Sequence, residues 1–243
     1  MLTSPQKSGG SASVTLQDRL NATRTRIAKA ALQYSRAPDS IRLLAVSKAQ
    51  PAEALRELAA LGQRDFGENY LQEALPKLDA LADLPLTWHF IGRIQSNKTA
   101  DIAARFAWVH TVDRERIARR LNDQRPHDAP LLNVCIQVQL VEEPTKSGVA
   151  PGDVAALARQ IREMPRLRLR GLMCIPPAYE RFEEQRAVFA RLRELSQDLQ
   201  AQGIPLDTLS MGMSADLEAA IAEGATIVRV GTALFGPRPS KGH

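Results

Sequence analysis

A lysine closes the apolar run IRLLAVSK at residues 41–48. The run is rich in branched side chains and leads into QPAEALRELAAL, so Lys48 sits where a buried strand gives way to a turn and a helix. Lysine is the side chain that forms imines with aldehydes, and desolvation of its ammonium frees the amine as a nucleophile. The plainer alternative is a rim lysine whose stem lies along apolar surface. Two later stretches offer anion chemistry. In SMGMSADLEAAIAEG, 210–224, a strand passes through a glycine turn into a helix for which Ser214 is the expected N-cap. Free N–H groups at such a start, beside small hydroxyls, can hold an anion; an ordinary capped turn has the same pattern. In VRVGTALFG, 228–236, Gly231 and Thr232 follow the last strand, and Arg229 shares a strand face with Gly231. An inward arginine needs a carboxylate, a phosphate or a ring nitrogen, and a salt bridge inside the protein would also serve.

The elements that must position these residues alternate. Eight strand-like runs are expected at 41–47, 64–67, 87–92, 108–112, 131–140, 169–175, 208–212 and 226–231, each followed by a helical pattern except the last, which has a short tail. One helical stripe runs through Phe182, Phe189, Leu192, Leu195 and Leu199. An extra helix precedes the first strand, with Leu16, Leu20, Ile27 and Leu32 near one face. Pro51 marks a helix start and Gly224 a helix stop. Near-continuously apolar strands separated by helices imply parallel pairing covered on both sides. Eight units in about 200 residues suit an α/β single (β/α)8 TIM barrel with an additional N-terminal helix. A doubly wound open sheet is the runner-up, and its nucleotide fingerprints GxGxxG and GxxxxGK[ST] are absent from the sequence. One domain is expected over 16–236, with a disordered tail at 1–15 and a second tail at 237–243.

Composition narrows the classes of function. The 44% hydrophobic and 24% charged chain of 243 residues is that of a globular protein with a sizeable core. The net charge is +5, but the basic residues are scattered among acids, as in VDRERIARRLNDQR, with no aromatic-laced basic stripe; nucleic acid is not an expected partner. No run reaches membrane-spanning length, and the N-terminal residues lack the apolar segment of a secretion signal. Cys135 and Cys174 each lie in an apolar run and are expected to be free buried thiols in a reducing compartment, the cytoplasm by default. The histidines show no metal-ligand spacing. His89 is expected to be a hydrogen-bonded barrel histidine, Glu68 structural, and Lys146 either a second basic group near the mouth or a solvated loop lysine.

In a closed barrel of this kind the active site lies at the C-terminal ends of the strands. Lys48 would then share one mouth with the loops after strands seven and eight. An aldehyde trap beside a phosphate cradle fits a phosphorylated aldehyde, with pyridoxal 5'-phosphate the first candidate. A sugar-phosphate aldolase would use similar parts.

The stretches VSK (46–48), FGENYLQE (66–73), WHFIGRIQSNK (88–98), KSG (146–148), RGLMCIP (170–176), LSMGMSADLEAAI (209–221) and VRVGTALFG (228–236) resemble the YggS/PROSC family of pyridoxal phosphate homeostasis proteins. The resemblance spans roughly 41–236. Arg93 and Ile94 depart from the family's usual proline and leucine, which bears only on the loop after the third strand. The resemblance implies a barrel like the N-terminal domain of alanine racemase, with pyridoxal phosphate carried as a Schiff base on Lys48. It implies that Ser210, Gly231 and Thr232 hold the phosphate, that Met211 and Ser214 line that end, that Arg229 faces the pyridine nitrogen, and that Asn69 lies close by. It implies a role in intracellular vitamin B6 homeostasis, with amino acids or cofactor-accepting apoenzymes as partners. Strong turnover is not expected, because the racemase's second domain and its tyrosine base have no counterpart; Tyr34, Tyr70 and Tyr179 are poor substitutes. For the same reason a monomer is expected. An enzyme of racemase type acting on a small amino acid is the alternative.

Overall fold

The computed structural model describes residues 14–141 and 147–236. Within them the order is α1 (Leu16–Gln33), β1 (Arg42–Val46), α2 (Ala52–Ala60), β2 (Asp65–Glu68), α3 (Leu71–Ala80), β3 (Thr87–Phe90), α4 (Thr99–Arg105), β4 (Trp108–Val112) and α5 (Glu115–Gln124). There follow β5 (Leu132–Gln137), α6 (Val154–Arg162), β6 (Leu167–Met173), α7 (Phe182–Ala201), β7 (Thr208–Ser210), α8 (Leu217–Ala222), β8 (Ile227–Val230) and α9 (Thr232–Phe235). The eight strands are parallel and close into a barrel in sequence order, β1 pairing with β8. All eight expected strands are present, most of them trimmed at one or both ends. Lys146 and nearly all of both expected tails lie outside the described residues; of the first tail, Thr15 is described and caps α1 through a reciprocal bond with Asp18.

The strand pleat sorts side chains into two cores. Leu44, Ile91, Trp108, Cys135, Met173 and Ile227, with Val46 against them, fill the barrel interior. The larger core lies between the strands and the helices and includes Ala45, Phe66, Val109, Val134, Leu172 and Val228. Full burial of one such large apolar side chain is worth about 1.5–3 kcal/mol.

Two expected stripes need correction. Leu32 is exposed in the last turn of α1, where Ala30 and Ala31 are buried instead. Phe182 is exposed because it occupies the first residue of α7, at the rim, while Phe189, Leu192 and Leu199 are buried. Gly224, at φ +93°, ends α8 as expected, and Pro51 is the N-cap of α2. α1 packs against α8, α9 and α2. Its Arg26 makes a two-pronged ion pair with Glu218 at 2.8 and 2.9 Å and donates to the Ser214 carbonyl at 3.1 Å, so the added helix braces the β7–α8 loop.

Candidate functional site

A cavity of about 380 Å³ opens at the C-terminal mouth of the barrel. Lys48, Asn69, Ser214, Arg229, Gly231 and Thr232, six of the eight residues expected at the site, line it together.

Lys48 lies two residues beyond β1, half-buried in a tight turn. Ser47 extends the β1–β2 ladder, its N–H donating to the Gly67 carbonyl at 2.9 Å, and the Gln50 N–H closes the turn onto the Ser47 carbonyl at 3.0 Å. Ala49 takes φ +60°, a left-handed conformation that costs a non-glycine residue about 1–2 kcal/mol. Its N–H is held by Glu73 at 3.2 Å. Beneath the turn is a buried cluster not foreseen from sequence. Lys77 of α3 donates to Glu68 Oε1 and to the Ser47 carbonyl, both at 2.8 Å, and the Ser47 hydroxyl donates to the same Glu68 oxygen at 2.5 Å. Glu68 is fully buried, which pushes its carboxyl above the usual range against the opposing bonds from Lys77 and Ser47. It is structural, as expected, and it fixes the backbone that carries Lys48.

Asn69 follows β2 directly, and its side-chain Oδ1 is buried with no partner among the described residues. Its backbone is pressed against the exit of β3: a Cβ on Gly92 would lie 1.9 Å from the Asn69 carbonyl oxygen. Only glycine allows that approach, which ties the FGEN and WHFIG stretches together in space.

The far end of the cavity is made by the loops after β7 and β8. Among the described residues, the backbone N–H groups of Ser214, Ala215, Gly231 and Thr232 donate to no group of the chain, and all four residues line the cavity. Ser214 is not a helix cap. α8 begins later, with Asp216 as N-cap, and the Ser214 hydroxyl accepts from the Ala233 N–H at 3.4 Å, joining the two loops. At Gly231, just past β8, an added Cβ would stand 3.3 Å from the Val46 carbonyl oxygen.

Arg229 is 4% exposed. It donates to the Ser210 hydroxyl and to the Cys174 carbonyl, each at 2.9 Å, and no carboxylate among the described residues pairs with it. The internal salt bridge considered from sequence is therefore not made among the described residues. A guanidinium has five N–H donors, so donors remain for whatever fills the cavity. Burial pulls its pKa below the ordinary value.

Ser210 and Met211 are not in the lining. β7 ends at Ser210, whose side chain points into the barrel beneath Arg229, while Met211 alternates outward into the larger core and its N–H is bound to the Ile227 carbonyl. Val46, Ile91, Ile175 and Met213 supply apolar walls, the last two partly exposed at the rim. Sequence reading missed Ile91, Ile175 and Met213, although each lies at or just past a strand end.

The family model "Alanine racemase, N-terminal domain" matches residues 20–239. The pyridoxal phosphate homeostasis protein of Pseudomonas aeruginosa is 59% identical over 224 residues, 92% of this chain and 96% of that protein. The chain belongs to the pyridoxal phosphate homeostasis protein family. The Escherichia coli member is 49% identical over 218 residues, 88% of this chain and 93% of its own. Among solved structures, PipY of Synechococcus elongatus with pyridoxal phosphate bound is 41% identical with a TM-score of 0.81, covering 91% of this chain and all of that one. Alanine racemase of Clostridium difficile shares the fold, at 16% identity and TM-score 0.71, over 93% of this chain and 57% of the racemase.

Proposed function

We propose that this chain binds pyridoxal 5'-phosphate in the mouth cavity, held covalently by Lys48, and serves intracellular vitamin B6 homeostasis. The observation that carries the proposal is the co-location in one cavity of an amine, a buried orphan amide oxygen, an arginine with spare donors and four free backbone N–H groups. Those features match an aldehyde, ring substituents, a ring nitrogen and a phosphate in turn. When bound, pyridoxal phosphate supplies an aldehyde that a primary amine captures reversibly as an imine.

Lys48 supplies the amine. Ser214, Ala215, Gly231 and Thr232 hold the phosphate through their N–H groups, as at other backbone anion sites. Arg229 faces the ring nitrogen. An arginine stays protonated and can only donate, so the nitrogen opposite it is left without a proton and the ring is a poorer electron sink. That favours holding and releasing the cofactor, to amino acids or to acceptor apoenzymes, over rapid carbanion chemistry. The two free buried thiols fit a reducing cytoplasm. Among the described residues, no helix is long and apolar enough to cross a membrane.

The test is a visible absorption spectrum of the purified protein before and after borohydride, followed by peptide mass mapping. A yellow protein with its reduced adduct on Lys48, and a colourless Lys48→Ala variant, are expected. A protein that stays unmodified in excess pyridoxal phosphate, or an adduct on another lysine, would refute the reading.

A further inference from the structure

A line of buried polar groups crosses the barrel interior from its floor to Arg229. Asp65 Oδ1, at the start of β2, lies 3.0 Å from His89 Nε2. His89 Nδ1 lies 2.9 Å from His110 Nε2, and His110 Nδ1 lies 2.8 Å from the Ser210 hydroxyl, which accepts from Arg229 at 2.9 Å. His89, His110 and Ser210 are fully buried. Polar groups are costly in an apolar interior unless fully bonded, and here each group has its partners.

We propose that Asp65, His89 and His110 are positioning residues for the cavity: through Ser210 they form a one-way hydrogen-bond chain that gives Arg229 its buried acceptor and fixes its guanidinium toward the ligand. The direction follows from the two ends. A carboxylate only accepts, so His89 donates from Nε2 and, being neutral, accepts at Nδ1. His110 must then donate from Nε2 and accept at Nδ1. The Ser210 proton is thereby committed to His110, and its oxygen is left to accept from Arg229. Every donor in the chain points from Arg229 toward Asp65, the arrangement in which successive bonds polarise one another. Both histidines are held neutral by burial, His110 the more strongly because His89 and the positive field of Arg229 add to the effect. The floor is braced as well. Arg42 reaches Asp65 at 3.4 Å, Arg42 and Arg170 lie over the Trp108 ring at 5.6 and 4.8 Å, and His89 stacks on that ring at 5.4 Å.

One consequence separates this role from the phosphate contact that the resemblance implies for Ser210. A hydroxyl that has given its proton to His110 has none to give a phosphate. Ser210 acts on the ligand through Arg229, at the ring end.

The inference rests on the pyridoxal phosphate reading for its ligand, but the chain itself can be read without ligand. In 15N-histidine NMR of the unliganded protein, His89 and His110 are expected as neutral Nε2–H tautomers. Either one found protonated at neutral pH, or as the Nδ1–H tautomer, overturns the chain. The second measurement is the affinity of His110→Phe and Asp65→Asn for pyridoxal phosphate and for pyridoxal, with the visible spectrum of the bound form. His110→Phe is expected to weaken both ligands by a similar factor, about tenfold or more for loss of a buried bonded partner, and to shift the visible band. Asp65→Asn keeps the shape and removes the charge; about threefold weakening, with displaced His89 and His110 signals, is expected. If His110→Phe does not fold, Asp65→Asn decides. Wild-type affinities and spectra in the folded variants refute the positioning role. A Ser210→Ala loss confined to pyridoxal phosphate, with pyridoxal unaffected, would return Ser210 to the phosphate. A wild-type protein that binds neither ligand would sink the functional reading, and the tautomers would still judge the chain.

Discussion

Replacing Lys77 by methionine should destabilise the protein far more than a helix-surface substitution would. Lys77 is 8% exposed and its ammonium serves both the fully buried Glu68 and the Ser47 carbonyl. Glu68 Oε2 already lacks a partner among the described residues, so the variant would leave a buried carboxylate with only the Ser47 hydroxyl there. Breaking a buried pair from one side costs about 3–5 kcal/mol. For a chain of this size that is a fall in Tm of about 6–20 °C. The pH dependence checks the cause. The Glu68 carboxyl is raised above its ordinary 4.5 in the folded state, so the fold favours its protonated form. Its ionisation subtracts stability as pH rises from the unfolded value through the folded one, and subtracts nothing below the unfolded value. Without Lys77 the folded value rises further. The deficit of Lys77→Met relative to wild type should therefore grow as pH rises and shrink as pH falls toward 4.5. Urea unfolding at neutral and mildly acidic pH measures it. Adding Glu68→Leu to the variant should restore about 2 kcal/mol or more, since removing both charges avoids the unpaired one. A deficit below about 1 kcal/mol, or one unchanged with pH, would refute the argument that this pair holds the Lys48 turn.

Two further outcomes follow from the site. Gly92→Ala should cost about 1–3 kcal/mol by overpacking and weaken pyridoxal phosphate binding, because the new methyl collides with the Asn69 backbone and displaces its side chain. Gly152→Ala, where a Cβ meets nothing within 4 Å, is the control, and unfolding curves with ligand titrations of the pair decide between them. Burial pushes both thiols up to about 12, so the thiolate fraction at pH 8 is on the order of 10⁻⁴; a thiol reagent should find no reactive group in the native protein and two after denaturation, and fast native labelling of either cysteine would contradict the described burial.

The strands and the mouth were legible because each is a local property. Apolar runs of branched residues, broken by helical patterns, dictate a parallel sheet covered on both sides, and a strand end is a position any sequence reading can mark. Lys48, Gly231 and Thr232 were found that way, whereas Asn69 came only from the resemblance. Residue type also marked Arg229, since a charge in an apolar strand demands a partner. The identity of that partner was not legible. Ser210 faces inward and Met211 outward by the alternation of the strand, but that β7 stops at Ser210, before the loop that lines the cavity, depends on the neighbour it pairs with through Ile227. The interior chain joins Asp65, His89, His110, Ser210 and Arg229 from five different strands. Each of those residues alone reads as an ordinary polar exception in a strand. Only closure of the barrel aims them along one axis, where burial makes each of them find the next.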